Sequence, residues 1–208
     1  MPDDLFLAPD GRVHAAGAVF DPWAWRWQTV HGAPLAGDPV DPVKALAAIC
    51  SNGAARRLPV GVIGPRAASP VQETTAGSLG RRLAEIGLTV ICGGRGGVMS
   101  AVARGARAAG GLTIGILPET DWRTANEDIV VPLATGLNEA RNVVIARAAV
   151  ALIAVGGSPG TLTEIAFGLH FGRPVIGLDD APDLLGVQRA ADIDDALDRL
   201  AKGLLDLS

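Results

Sequence analysis

Glu164 is the carboxylate whose neighbours most favour chemistry on a ligand. It ends the segment GGSPGTLTE (156–164), in which an apolar run gives way to a glycine-rich turn and then resumes at helical spacing. A carboxylate that faces a ligand at such a turn can act as a general base or stabilise positive charge that develops on a sugar. The alternative is a surface carboxylate that complements the dipole at the start of a helix.

Arg141 is the second candidate. It lies in LNEARNVVIARAA (137–149), a segment whose other residues are apolar enough for a buried helix. On one continuous helix, Asn138, Arg141 and Asn142 share a face at spacings of i, i+3 and i+4. A polar face on a buried helix indicates contact with a ligand or another polar group, so Arg141 would orient Glu164 or the hydroxyl groups of a ribose.

Three turns that follow apolar runs are suited to an anion. They are GPRAASP (64–70), CGGRGGVM (92–99) and the turn before Glu164. Glycine lets the backbone approach an anion closely, and the dipole of the following helix favours negative charge, so phosphate is the expected ligand. The glycines would otherwise serve only to form tight turns. The predicted phosphate-binding or nucleotide-binding residues are Gly64, Arg66, Gly94, Gly96, Gly97, Met99, Asn138, Gly157, Ser158, Gly160 and Thr161.

Other nucleotide-binding and metal-binding patterns do not occur in the sequence. Neither glycine-rich turn has the G-x-G-x-x-G spacing and the acidic partner of a dinucleotide site, and no segment matches the G-x-x-x-x-G-K-[ST] loop of nucleoside triphosphatases. His14, His31 and His170 are scattered, and we expect each on the surface or in side-chain packing. The predicted site therefore requires no metal.

The elements that position these turns follow a strand and helix rhythm from about residue 58. Short β-rich apolar runs alternate with helical stretches, which is typical of a parallel sheet covered on both faces. We therefore expect an α/β fold, a doubly wound (Rossmann-like), mostly parallel sheet with ligands bound at the carboxyl ends of its strands. The predicted strands are 59–64, 88–93, 112–118, 129–133, 150–155 and 174–178, and the predicted helices are 70–86, 97–109, 137–149, 160–171 and a last one after Asp192.

The N-terminal residues do not share that rhythm. We predict a small extension, residues 1–57, that packs on a main domain of residues 58–208. It has a hairpin signal at PDG (9–11) and a helix capped by Asp41. In WAWRW (23–27), alternation places three tryptophans on one face of a strand, which indicates either packing or a surface for a ligand or partner.

Composition excludes several classes of function. The chain has 208 residues, a net charge of −4 and a pI near 5.3, so it offers no basic field for nucleic acid or for an anionic membrane. Cys50 and Cys92 form neither a disulfide framework nor a metal cluster, and no apolar run is long enough for a membrane span. The N-terminus lacks the basic and apolar regions of a secretion signal, so we expect a cytoplasmic protein.

Several of these motifs occur in the order seen in a known superfamily. CGGRGGVMSAVARGARAAGG, then IGILPE, then NEARNVVIARAAVALIAVGGSPGTLTEIAFGLHFGRPVIGL resemble the Lonely-Guy (LOG) or "lysine decarboxylase-like" superfamily, whose hallmark is PGGxGTxxE. The resemblance covers about residues 59–178. Within the superfamily it is greatest to the branch that contains molybdenum cofactor carrier proteins, and it implies a Rossmann-like nucleotide-binding fold.

The resemblance also implies roles for the charged pair. In LOG enzymes an arginine and the motif glutamate act in cleaving the N-glycosidic bond of a nucleoside 5′-monophosphate, which gives a free base and ribose 5-phosphate. These roles fall on Arg141 and Glu164. The chain departs from the pattern at three positions, with Gly156 for the first proline of the motif, Ser158 for its second glycine, and Asn142 where lysine usually follows the arginine.

Lysine decarboxylation is not expected, because pyridoxal phosphate chemistry needs a Schiff-base lysine and Lys44 and Lys202 both lie outside the site turns. Two functions remain open. One is a nucleoside monophosphate phosphoribohydrolase, and the other is a carrier or sensor that holds phosphate, a nucleotide or a molybdopterin-type ligand without hydrolysing it. The resemblance and the apolar helices 137–149 and 160–171 also predict a homo-oligomer, most simply a dimer.

Overall fold

The computed structural model describes residues 4–30 and 36–207. The chain divides into two compact units, one of Leu58–Ala196 and one of Met1–Arg57 with Leu197–Ser208. The sequence interpretation assigned all of residues 58–208 to one domain, whereas the structure groups the last residues of the chain with the N-terminal unit.

The N-terminal unit contains a five-stranded antiparallel sheet. Its strands are β1 (Leu5–Leu7), β2 (Val13–Ala15), β3 (Ala18–Asp21), β4 (Arg26–Thr29) and β5 (Asp38–Val40), in the spatial order β4-β3-β2-β1-β5. The predicted hairpin joins β1 to β2, with Phe6 opposite His14. Helix α1 (Pro42–Ser51) begins where the sequence indicated, because the Asp41 carboxylate accepts a hydrogen bond from Lys44 N at 2.8 Å.

The three tryptophans do not share one face of a strand, so that prediction was wrong. Trp25 has a φ of +55°, and this left-handed residue turns the chain before β4, which contains only Trp27. Trp23 is 59% exposed and lies beneath the guanidinium of Arg56, 4.7 Å from the ring centroid. The alternating tryptophans therefore belong to two elements: Trp23 and Trp25 lie in a turn, and Trp27 lies in strand β4.

Trp25 and Trp27 hold the chain terminus to this unit. Their indole N–H groups donate hydrogen bonds to the carbonyl oxygens of Leu204 and Leu205, at 3.1 and 2.8 Å. These bonds explain why residues 197–208 belong with the N-terminal unit. For Trp25 and Trp27, the observed contacts fit the interpretation in which these side chains pack within the protein and do not form a surface for a ligand or partner.

The second unit contains a seven-stranded sheet in which every strand is parallel to its neighbours. The strands are β6 (Pro59–Ile63), β7 (Thr89–Cys92), β8 (Thr113–Leu117), β9 (Val131–Ala134), β10 (Ala151–Val155), β11 (Val175–Leu178) and β12 (Val187–Arg189). Their spatial order is β12-β11-β10-β6-β7-β8-β9. The order reverses direction between β6 and β10, which is where a doubly wound sheet opens a crevice for a ligand. The predicted fold class is confirmed.

The helices cover both faces of this sheet. They are α2 (Pro70–Ile86), α3 (Val98–Ala108), α4 (Arg141–Ala148) and α5 (Pro159–His170). A further helix, α6 (Ile193–Leu204), contains residues of both units. Helix α2 packs on α3 and α4 packs on α5, and right-handed crossovers place these two pairs on opposite faces. Between them the central strands are almost fully buried, which accounts for their continuous apolar runs.

The segment 137–149 is not one helix. Residues Asn138–Ala140 form a short 3-10 turn, and α4 begins only at Arg141. Asn138 has a φ of +50°, which no α-helical residue adopts, so the predicted shared face of Asn138, Arg141 and Asn142 was wrong. The periodicity of the segment concealed this break because asparagine is tolerated in both conformations.

Within the described residues, none of the helices combines the length and the apolar character that crossing a bilayer requires. The longest, α2, carries charged side chains along its exposed side, including Glu73, Arg81 and Arg82.

Candidate functional site

A cleft of about 330 Å³ lies at the carboxyl ends of the central strands of the parallel sheet. Its wall comes from the turns after β6, β7, β8, β9 and β10, which converge at the point where the strand order reverses. The cleft is lined by Val62, Ile63, Gly64, Arg66, Gly93, Arg95, Met99, Pro118, Glu119, Asn138, Glu139, Arg141, Asn142, Ser158, Gly160, Thr161 and Glu164.

The start of helix α5 forms one end of this cleft. Ser158 caps the helix: its Oγ accepts a hydrogen bond from Thr161 N at 3.2 Å and lies 2.9 Å from Thr161 Oγ1. Pro159 has no N–H, and Gly160 N–H is one of the donors at a helix start that lack a partner within the helix. The positive end of the helix dipole therefore faces the cleft.

Arg141 and Glu164 meet inside the cleft. Arg141 Nη1 lies 3.4 Å from Glu164 Oε1, and both side chains are largely buried. Glu164 is only 6% exposed, and this burial raises its pKa from 4.5 to about 7, although the nearby positive charge of Arg141 acts in the opposite direction. A carboxyl group with a pKa near neutrality can either donate or accept a proton, so Glu164 is suited to acid–base chemistry.

Gly93 makes room for the guanidinium of Arg141. A Cβ built on Gly93 would stand 2.5 Å from Arg141 Cζ and still closer to both terminal nitrogens. The turn after β7 therefore forms the surface on which Arg141 lies. Gly93 was not among the predicted site residues, although it belongs to the glycine-rich segment 92–99.

Gly97, in the same segment, packs closely against the turn that follows β6. Gly97 has a φ of +65°, and a Cβ there would stand 2.5 Å from Pro65 O and 2.7 Å from the carbonyl carbon of Arg66. Val98 N donates a hydrogen bond to the same Pro65 oxygen at 3.2 Å. Close backbone packing therefore requires glycine at position 97, and this packing holds the turn that carries Arg66.

A second ion pair lies at the β8 end of the cleft. Arg95 Nη1 donates to Glu119 Oε1. The hydroxyl of Thr124 lies 3.1 Å from Glu119 Oε2 and 2.8 Å from Asp121 O, so its single proton is shared between these two acceptors. Asn126 Nδ2 donates to Arg95 O at 2.9 Å, which ties the turn after β7 to the connection between β8 and β9. Glu119 is thus held in a fixed orientation at the cleft wall.

The structure brings nine of the predicted site residues to the cleft. Among the described residues, the wall does not include the four predicted glycines Gly94, Gly96, Gly97 and Gly157; Gly94 is buried and Gly157 packs against Pro182. The nine that line it are Gly64, Arg66, Met99, Asn138, Arg141, Ser158, Gly160, Thr161 and Glu164.

Sequence reasoning missed Arg95, Glu119 and Glu139 as cleft residues. Arg95 lies within a glycine-rich segment and Glu119 directly after the apolar run of β8, so both follow parallel strands at their carboxyl ends. Their position at the carboxyl ends of parallel strands was therefore the signal from which the sequence could have predicted them. Their pairing could not be seen in the sequence because it joins two different turns.

The residues that commonly bind metals are not gathered at this site. The described residues contain no group of three or more histidines, cysteines, aspartates or glutamates arranged to hold a metal ion. Cys92 lies beneath the cleft, where burial raises its pKa to about 11 and keeps it a thiol. His14 is buried and His170 exposed, away from the cleft wall, and His31 lies outside the described residues.

Two solved structures have the same fold with substantial sequence identity. A molybdenum cofactor binding protein from the phototrophic bacterium Rippkaea orientalis is 34% identical, with a TM-score of 0.66 over 70% of this chain and 96% of that protein. The molybdenum cofactor carrier protein of Chlamydomonas reinhardtii is also 34% identical, with a TM-score of 0.66 over 72% of this chain and 99% of that protein.

Sequence comparison agrees with this structural similarity. An uncharacterised protein of Archaeoglobus fulgidus is 40% identical over 121 residues, which cover 58% of this chain and 80% of that protein. The model of the SLOG cluster4 family matches residues 57–199, more than half of the chain, and it confirms the resemblance to the LOG superfamily. The chain belongs to the SLOG cluster4 family.

Proposed function

We propose that this protein binds a phosphorylated small molecule in the cleft and acts as a carrier or sensor of that molecule. The observation that carries the proposal is the similarity to two molybdenum cofactor binding proteins, which extends over 96% and 99% of their lengths. The family match, residues 57–199, contains every residue that lines the cleft, so a common ligand class, of the molybdopterin type, is the simplest account.

The charges of the cleft support an anionic ligand. The start of α5 offers Gly160 N–H and the hydroxyls of Ser158 and Thr161, and Arg66 lies on the same wall. Among the described residues no carboxylate pairs with Arg66, whereas Arg95 and Arg141 both have carboxylate partners. A phosphate group would complete the interactions of Arg66 and of the helix terminus.

The residues also indicate how a molybdopterin-type ligand would be recognised. The described part of the cleft has no metal-binding cluster, and Cys92 remains a protonated, buried thiol. Binding would therefore depend on the phosphate and the ring of the ligand, with the metal held by the ligand itself. The cleft volume of about 330 Å³ lies at the lower end of the range for small-molecule sites.

Titration calorimetry tests this proposal with inorganic phosphate, nucleoside 5′-monophosphates and a molybdopterin-type ligand. We expect the phosphorylated ligands to bind, and we expect Arg66→Gln to weaken them by about tenfold or more through loss of a charge-assisted hydrogen bond. Arg104→Gln is the matched control, because Arg104 is an exposed arginine of α3 outside the cleft wall. Equal affinity in both variants, or no binding of any phosphorylated ligand, would contradict the proposal.

A second function is supported by one specific observation, the buried contact between Arg141 and Glu164. In a phosphoribohydrolase, water would add its oxygen to C1′ of the ribose as the C1′–N bond breaks. Glu164 would accept the proton that the water loses, and this proton would pass to the nitrogen of the departing base. Arg141 would keep Glu164 ionised and orient it. The pKa of about 7 leaves a substantial fraction of Glu164 ionised at neutral pH, which base catalysis requires.

Base release from nucleoside 5′-monophosphates separates the two functions. If the protein is a hydrolase, Glu164→Gln should reduce the release rate by about 10²–10⁴-fold while nucleotide affinity changes little. If it is a carrier, the wild-type protein binds these ligands and releases no base. Equal turnover by Glu164→Gln and the wild type would exclude the catalytic role of Glu164.

We also propose that the protein forms a homodimer through the outer face of α5. Leu162 and Phe167 on that face are 41% and 37% exposed, and Thr163, Ala166 and His170 complete a surface without carboxylates or basic side chains other than histidine. Contiguous exposed apolar surface of this kind is typical of protein–protein interaction sites.

A further inference from the structure

The two ends of the cleft differ in chemistry. At the end formed by β10 and α5, N–H and hydroxyl groups are suited to an anion. At the end formed by β8, the fixed side chain is a carboxylate, Glu119. Strands β10 and β8 are three positions apart in the sheet, a separation of about 14 Å at the usual strand spacing. A ligand with its phosphate at one end would therefore place another group beside Glu119.

Glu119 is held in place by two donors that do not use all of its acceptor capacity. Arg95 bonds one carboxylate oxygen. The Thr124 hydroxyl, which also lies 2.8 Å from Asp121 O, approaches the other carboxylate oxygen at 3.1 Å. A carboxylate offers about four acceptor positions, so two remain free for a ligand. A carboxylate accepts hydrogen bonds, so the remaining positions suit donor groups of a ligand.

The backbone reinforces this arrangement from the neighbouring turn. Gly136 N donates to Glu119 O at 2.9 Å, and Asn138 N donates to Pro118 O at 3.0 Å. Asn138 takes a left-handed φ of +50° and lines the cleft beside Glu119, and non-glycine residues in this region often occur at functional sites. Glu119 is thus anchored through both its side chain and its backbone.

We infer that Glu119 is a specificity-determining residue that selects ligands whose ring presents adjacent N–H and NH₂ donors, the edge shared by guanine and pterin rings. Two parallel hydrogen bonds to one carboxylate match that edge. A ring that presents a carbonyl oxygen there would face the carboxylate with an acceptor, and its affinity would fall. This inference rests on the proposed phosphate-binding function of the same cleft and adds the identity of the ring.

Binding of matched ligand pairs tests the inference by titration calorimetry. Guanosine 5′-monophosphate is compared with inosine and xanthosine 5′-monophosphates, which lack the amino group or replace it with a carbonyl. A phosphorylated pterin is compared with the corresponding lumazine, which has the same replacement. We expect the amino-substituted member to bind at least about tenfold more tightly in at least one of the two series. The series that shows this preference identifies the ligand as a nucleotide or a pterin.

Glu119→Gln should remove this preference, because the amide places an N–H donor opposite the donors of the ring. Glu119→Asp keeps the charge but withdraws the carboxylate by one methylene, so it should also reduce the preference. The control is Glu127→Gln, which makes the same change on an exposed residue of the same connection, and it should bind all ligands as the wild type does.

Three results would overturn the inference. They are equal affinity for the amino-substituted and oxo-substituted rings, an unchanged preference in a folded Glu119→Gln protein, and a loss of preference in Glu127→Gln. Tight binding of every monophosphate without ring preference would leave the phosphate-binding function intact and refute only the role of Glu119. Absence of binding by any phosphorylated ligand would refute both.

Discussion

Gly93 shows how a single residue can control the charged pair of the site. Its Cα faces the guanidinium of Arg141 so closely that a Cβ would stand 2.5 Å from Cζ, but the obstructing atoms are the end of a flexible side chain. Gly93→Ala should therefore move Arg141 away from Glu164 and leave the fold nearly as stable as before. We expect weaker binding of ribose-containing ligands and, for a hydrolase, a large loss of turnover.

Gly96→Ala is the matched control for this prediction. Gly96 lies in the same turn, outside the cleft wall, and the nearest atoms to a Cβ there are 3.9 Å away, so the methyl group has room. Calorimetric affinity and thermal unfolding should match the wild type. Equal binding by Gly93→Ala and Gly96→Ala would show that the position of Arg141 does not matter to the ligand.

Glu164 should make the stability of the protein depend on pH. Its pKa is raised from 4.5 to about 7 by burial, so the folded chain holds this proton more strongly than the unfolded chain does. The stabilisation is complete below about pH 4.5 and is lost as the pH rises through 7, a contribution on the order of 3 kcal/mol.

Urea unfolding between about pH 5 and about pH 8 measures this dependence. The wild type should lose stability as the pH rises, whereas Glu164→Gln should not lose this contribution because its amide cannot ionise. The free energy of unfolding of Glu164→Gln minus that of the wild type should therefore increase with pH. A difference that stays constant over this range would show that Glu164 has an ordinary pKa in the folded protein.

At the scale of elements, the start of α5 combines a structural and a binding role. Ser158 accepts a hydrogen bond from Thr161 N at 3.2 Å, so Ser158→Ala should cost about 1 kcal/mol of stability through loss of the cap. Ser158→Asp keeps a good cap but places a negative charge where the phosphate is proposed to bind. We expect thermal unfolding close to that of the wild type for Ser158→Asp, with phosphate affinity strongly reduced. Undiminished phosphate binding by Ser158→Asp would place the anion elsewhere.

The elements that the sequence predicted well are those whose ends carry local signals. Helix α2 has the predicted bounds, Pro70–Ile86, because Ser69 and Gln72 form a capping box and Gly87 ends the helix with a φ of +92°. Strand β12 (Val187–Arg189) was not predicted, since a short edge strand with two exposed polar residues has no apolar periodicity. Segment 137–149 was predicted as one helix because the left-handed φ of Asn138 leaves no mark in the pattern.

The sequence could predict those parts of the candidate site that lie within a single turn. Ser158, Gly160 and Thr161 belong to one motif, and the fold places all three on the cleft wall. The pairing of Arg95 with Glu119 depends on which strands are neighbours, and the sequence does not give that order. Contacts within a turn can therefore be predicted, whereas contacts between turns require the sheet topology.

For the whole molecule, the N-terminal unit lies almost entirely outside the family match, which begins at residue 57. This unit joins two distant parts of the sequence, because the indole N–H groups of Trp25 and Trp27 donate to the backbone carbonyl oxygens of Leu204 and Leu205. The solved structures cover only 70% and 72% of this chain, although nearly all of their own length is matched. The residues that line the cleft all lie within the family match, residues 57–199.

The assembly of the whole molecule is the last prediction. The outer face of α5 exposes Leu162 and Phe167. The ring of Phe167 stacks on that of Phe171, with the centroids 6.1 Å apart, and the guanidinium of Arg147 lies over the Phe171 ring. If a second copy covers this surface, light scattering at tens of micromolar should give a dimer for the wild type. Phe167→Glu should give a monomer, because a buried and unpaired charge at an interface is strongly unfavourable.

The matched control is Val71→Glu, which introduces the same charge at a residue that is 66% exposed in the first turn of α2, where a carboxylate suits the helix dipole. This variant should remain a dimer. A monomeric wild type, or dissociation of both variants alike, would show that the α5 face is not the interface. Because α5 provides Thr161 and Glu164 to the cleft and Ser158 caps this helix, a dimer through its outer face would stabilise the helix that carries the anion site.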